Sequence, residues 1–181
     1  MSKHPTVKIS KTDAAKRQLE TAIRLWFYSG EPVSIHTLAA AAHQVLHDLG
    51  KARGTPSIVR ELPDEVRPEY KKKFRELLSR YENFFKHAER DPNALLDFNS
   101  EATECYLFDA VCTYETITQE VAPILSAFKA WMFIRNPDLM SEPHREVLLK
   151  RLNDGGPDLK NVPKEEFFAS YISQLMHRGT V

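Results

Sequence analysis

Along most of this chain the apolar residues recur at intervals of three and four, the spacing that gathers them on one side of an α-helix. The first such stretch is Ala15, Leu19, Ala22, Ile23 and Trp26. It predicts a helix capped by Thr12 or Ser10 and ended by Gly30, after a flexible lead-in over residues 1–10. The Glu31-Pro32 step predicts a turn, and Ser34 then caps a second helix over residues 35 to about 51, with Ile35, Leu38, Ala42, Val45 and Leu49 on one stripe. Ala39 to Ala42 remove bulk on every side of its middle, as in a helix packed on more than one face. Gly50 and Gly54 flank its end.

Pro56, Pro63 and Pro68 punctuate residues 52–67, leaving room for one short turn over residues 56–61. A long third helix is predicted from about Pro68, burying Phe74, Leu77, Leu78, Tyr81, Phe84, Phe85 and Ala88 and stopped by Asp91-Pro92. Asn99 or Ser100 caps a fourth, to about Thr118, whose middle, Cys-Tyr-Leu-Phe-Asp-Ala-Val-Cys, is apolar nearly all round apart from Asp109. A fifth covers about 121–135 and ends at Asn136-Pro137. Ser141 and Pro143 open a sixth, and Pro163 a last one with Phe167, Phe168, Tyr171, Ile172 and Leu175 buried. No segment shows the period-2 alternation of a strand. The expected fold is all-α: one domain over 1–181, a bundle of about six or seven helices, with 136–181 as an appended helical hairpin.

At 181 residues, 42% of them hydrophobic, the chain has the size and composition of a globular domain. It carries 25 basic and 25 acidic side chains, so net charge makes no case for nucleic acid or membrane. The distribution is uneven. Residues 67–91 hold eight Lys or Arg against five acids, whereas 92–128 hold six acids and no Lys or Arg. A basic helix followed by an acidic one is expected to pair with it, within the fold or across a homodimer, or else to offer a basic groove to an anionic partner. No apolar run approaches the roughly 20 residues that span a bilayer, and the N-terminus has no apolar signal core, so a cytoplasmic protein is expected. Cys105 and Cys112 sit on one predicted helix too far apart for a disulfide and are expected to be buried thiols.

The candidate chemistry centres on the end of the third helix. Arg80, Asn83 and His87 fall at i, i+3 and i+7 and share one polar stripe. Metal-independent RNA cleavage needs a proton-transferring group such as an imidazole and a fixed cation to hold the phosphate. Arg80 and His87 are of those types. The arginine, six residues, histidine spacing, with Asn83 four residues before His87, resembles the motif of HEPN-superfamily proteins, small helical bundles many of which are RNases. The resemblance implies His87 as acid/base, Arg80 and Asn83 as phosphate contacts, RNA or a protein as partner, a homodimer, and no cofactor. Glu82 stands where the family commonly has an arginine directly before the asparagine.

A second set is His36, His43 and His47, which with Ala40 form one stripe of the second helix. His43 and His47 have the spacing that places two imidazoles on one metal, but Gln44 replaces the glutamate of a zinc protease. His47-Asp48-Leu49-Gly50-Lys51 is similar to the string of HD-domain phosphohydrolases, which implies metal binding by His36, His43 and His47 with Asp109 as distal ligand. Cys105, Asp109, Cys112 and Thr116 make a small-residue face along which another helix is expected to approach. A buried Asp109 would need a partner, with His36, His43 and His87 the nearest in kind. No Gly-rich phosphate loop, nucleophile elbow, CxxC pair or dinucleotide fingerprint is present, which removes most ATP, NAD and serine-hydrolase chemistry.

Overall fold

A computed structural model describes residues 6–55, 68–89, 91–153, 158–159 and 161–177. The short turn expected over residues 56–61 lies outside them. Among the described residues the fold is all-α, with seven helices, one 3₁₀ turn and no strand. The helices are α1 (Lys11–Phe27), α2 (Pro32–Ala52), α3 (Pro68–Lys86), α4 (Ala102–Thr118), α5 (Pro123–Arg135), α6 (Glu142–Asn153) and α7 (Lys164–His177), with the 3₁₀ turn Pro137–Leu139 before α6.

Local chemistry sets the ends. Ser10 caps α1 through the Asp13 amide, and the Asp13 carboxylate accepts from the Ser10 amide in return, a reciprocal pair that satisfies two otherwise orphaned donors. The helix ends in a left-handed residue, Ser29 (φ 53°), and Gly30 donates back to the Leu25 carbonyl at 2.8 Å. The start of α2 differs from expectation. Pro32 occupies the first helical position, where its missing N–H costs nothing, and the Glu31 carboxylate caps the helix by accepting from the Val33 and Ser34 amides. Ser34 is thus inside the helix. At the other end Thr55 donates to the Gly50 carbonyl and Gly54 to that of Lys51, with Gly54 left-handed at φ 73°. A methyl group on Gly50 would come within 2.5 Å of the Thr55 carbonyl, so the closure requires a bare backbone there.

The core lies between α1, α2, α4 and α5, with α7 added through Phe167 and Phe168. Phe27 is fully buried and central to an aromatic cluster, stacked on Phe168 at 4.5 Å and edge-on to Trp26, Phe128 and Trp131. Of the other large residues near it, Trp131 and Met132 are buried, Phe133 is half-buried and Tyr28 is exposed. Helices α2 and α4 run parallel: His36 meets Thr103, His43 meets Asp109, and the Thr113 methyl lies beside Gly50. Chain 53–101, including α3, carries the polypeptide back to the start of this seam, and α3 packs on α2.

Two expectations need correction. The small-residue stripe is not one packed face: Cys105 and Thr116 are exposed, and of the four it is Asp109 that reaches α2, through His43, on the side of the buried Thr103, Tyr106, Ala110 and Thr113. The two cysteines are free thiols but not buried ones: Cys105 is exposed and Cys112 half-buried, its thiol pushed up to about 11 by loss of solvent. Two acids of the acidic stretch pair with cations on other helices, Glu115 with Lys129 of α5 (2.5 Å) and Glu120 with Lys16 of α1. The described ion pairs of α3 are internal, Lys72 with Glu76 and Lys86 with Glu82.

Candidate functional site

Helix α3 stops at Lys86, short of the Asp91-Pro92 step, and His87 is the first residue beyond it, its amide still bonded to the Asn83 carbonyl at 3.0 Å. That last bond keeps the imidazole in line with the helix above it. Arg80, Asn83, Phe84 and His87 accordingly form one wall of a cleft of about 310 Å³. Asp91, Ala94, Leu95 and Leu96, from the chain that turns back after the helix, form the other. The stripe expected of Arg80, Asn83 and His87 therefore faces a concavity. Ala88, expected in the core, is exposed because the helix has already ended.

The His87 Nδ1 lies 3.2 Å from the Glu89 carboxylate, both side chains being largely exposed. Nε2 lies on the other side of the ring from Glu89 and is the nitrogen left for a substrate. Glu82, at the position where the resemblance calls for arginine, is occupied by Lys86 at 2.6 Å. The cleft is thus of mixed sign: guanidinium, amide and imidazole on the α3 wall, and Asp91 opposite, with no ion pair joining Arg80 to Asp91 among the described residues. The sequence marks Asp91 only as part of the helix stop and gives Glu89 no part in the site. Two carboxylates within four residues of His87 were the available signal.

Behind this wall α3 is fastened by an imidazole. His36 of α2 is fully buried, shares a 3.0 Å hydrogen bond with the Thr103 hydroxyl through Nδ1, and has its Nε2 without a hydrogen-bond partner. Four rings meet it edge-on at 5.3–5.8 Å: Tyr81 and Phe85 of α3, Phe98 of the following loop, and Tyr106 of α4. Loss of solvent holds its pKa down to about 4, with Glu82 opposing weakly. The sign follows from that lowering. The unfolded chain, near the ordinary 6.5, takes up a proton that the folded chain refuses until about pH 4. Stability is therefore whole above pH 6.5 and falls as the pH drops toward 4, by roughly 3 kcal/mol at 1.36 kcal/mol per pH unit. Urea midpoints measured between pH 7 and 4.5 are expected to slope accordingly and to slope less in His36→Leu. An unchanged slope in that variant would assign the effect to another group.

Two turns further along the seam, His43 Nε2 meets the Asp109 carboxylate at 2.6 Å, with both side chains almost wholly buried. Of the partners considered for Asp109, His43 is the one that reaches it. His36 bonds Thr103 instead, and His87 lies beyond α3 in the cleft. Of the four residues of the metal reading, His36, His43, His47 and Asp109, the seam joins two. Among the described residues no three His, Cys, Asp or Glu side chains are grouped to hold a metal ion, and no helix is long and apolar enough to cross a membrane.

No family model matches the chain, and neither a curated protein nor a solved structure matches it significantly.

Proposed function

We propose that this protein binds RNA and cleaves it without a metal, in the manner the HEPN resemblance implies, with the cleft at the end of α3 as its site. The observation that carries the reading is that Arg80, Asn83 and His87, three polar residues spread over two helical turns, line one concavity. In it His87 Nε2 takes the proton of a ribose 2′-hydroxyl, whose oxygen bonds to the adjacent phosphorus as the bond from phosphorus to the 5′-oxygen breaks. The leaving oxygen takes a proton from the imidazolium or from water, giving a 2′,3′-cyclic phosphate and a 5′-hydroxyl end. The Arg80 guanidinium holds the phosphate charge that grows in the transition state, and the Asn83 amide donates to a phosphate oxygen. The Glu89 carboxylate, 3.2 Å from Nδ1, lies on the side of the ring away from Nε2.

Incubation of the purified protein with a labelled single-stranded RNA in the presence of a chelator tests this directly. Cleavage to cyclic-phosphate ends is expected, slower by about 10²–10⁴-fold in His87→Ala. Cleavage unaltered in that variant would remove His87 from the chemistry. Absence of both binding and cleavage would remove the reading itself.

A further inference from the structure

The two walls of the cleft ask for different things. A phosphodiester backbone alone suits Arg80 and His87 but not Asp91, which lines the same cleft with a carboxylate that repels any anion and only accepts hydrogen bonds. Each wall also carries apolar surface: Phe84, half-buried, beside Arg80 and His87, and Leu95, 97% exposed, beside Asp91. A ligand that fits must therefore be anionic at one end, flat and apolar across its middle, and rich in N–H donors at the other.

A nucleotide with an unpaired base has that order of parts, and a volume of about 310 Å³ is near the lower end for small-ligand sites, suited to one nucleotide rather than a duplex. Aromatic side chains seat unpaired bases face-on, which is how proteins commonly recognise single-stranded RNA. The donor pattern narrows the base. Guanine alone presents two adjacent N–H donors, N1–H and the N2 amine, on the edge where a carboxylate accepts both at once. Adenine and cytosine each offer one exocyclic amine beside an acceptor nitrogen, and uracil one imide N–H between two carbonyls. We infer that the cleft seats an unpaired guanine, its base against Phe84 and its Watson–Crick edge on Asp91, next to the phosphodiester held by Arg80 and His87. This rests on the RNA reading above and adds to it a choice of base and of strandedness.

The test is binding and cleavage of short labelled RNAs that differ at one position: an adenosine-rich strand carrying a single guanosine, inosine or adenosine, and the guanosine strand annealed to its complement. Guanosine is expected to be preferred over adenosine by about tenfold or more. Inosine, which keeps N1–H and lacks the N2 amine, should fall between, and the duplex should be bound weakly. In Asp91→Asn, a change at an exposed position, the preference for guanosine should collapse. Equal handling of guanosine, adenosine and duplex by the unaltered protein would overturn the inference while leaving the RNA reading in place. So would a guanosine preference that survives in Asp91→Asn. Failure to bind or cleave any of the strands would overturn both.

Discussion

Replacing His43 by alanine is expected to lower stability by about 3–5 kcal/mol, because it strips the Asp109 carboxylate of a 2.6 Å partner in the protein interior. A buried ion pair adds little over a hydrophobic pair of equal volume, since each charge has lost its water. Removing one member is another matter, for the carboxylate left behind keeps its desolvation cost and loses a 2.6 Å partner that offset part of it. The pair sits midway along the α2/α4 seam, between the His36–Thr103 contact and Gly50, so the penalty falls on the interface that holds the centre of the bundle. Denaturant unfolding of His43→Ala measures it. A double replacement by leucine is expected to recover most of the loss, and a single-variant cost below about 1 kcal/mol would mean that water reaches Asp109.

Phe27→Ala is expected to cost about as much, 3–5 kcal/mol, through a different mechanism. Its ring is fully buried and touches aromatic groups of three other elements or neighbours: Trp26 beside it, Phe128 and Trp131 on α5, and Phe168 on α7. Truncation opens a cavity on which rigid rings cannot close without leaving their edge-on and stacked arrangements. Because Phe167 and Phe168 are the buried residues of α7, that helix should loosen first, and limited proteolysis in α7 should quicken relative to the rest of the chain. Thermal unfolding with a small loss and unchanged proteolysis would show that the cluster repacks.

Much of this architecture was legible because amphipathic helices announce themselves. The Ala15, Leu19, Ala22, Ile23 stripe is the buried side of α1, and Ser10 caps it as its type and position suggested. What could not be read from spacing was which way a helix faces when it is apolar on all sides. The middle of α4 is such a stretch: spacing groups Cys105, Asp109, Cys112 and Thr116 as a face for another helix, while the side turned to α2 carries Asp109 with Thr103, Tyr106 and Thr113. The start of α2 misled for a related reason: Glu31 is a less usual cap than Ser34, and only the geometry of Pro32 shows that the carboxylate reaches the free amides. For the candidate site, the alignment of Arg80, Asn83 and His87 followed from helical period alone. The opposing wall did not, because Asp91 and Leu95 are brought back by a turn with no periodic signal.

The parallel run of α2 and α4 has a consequence for assembly. Neighbours in sequence, α1 and α2 can zip together across a four-residue link, but α4 meets α2 only after nearly fifty residues, 53–101, have looped out and come home. Closing so long an excursion carries an entropic cost that grows with the logarithm of its length, so the α1/α2 hairpin is expected to be the early folding unit. Helix α3 rides on that excursion. The cleft at its tip therefore belongs to a part of the molecule whose local opening need not disturb the hairpin.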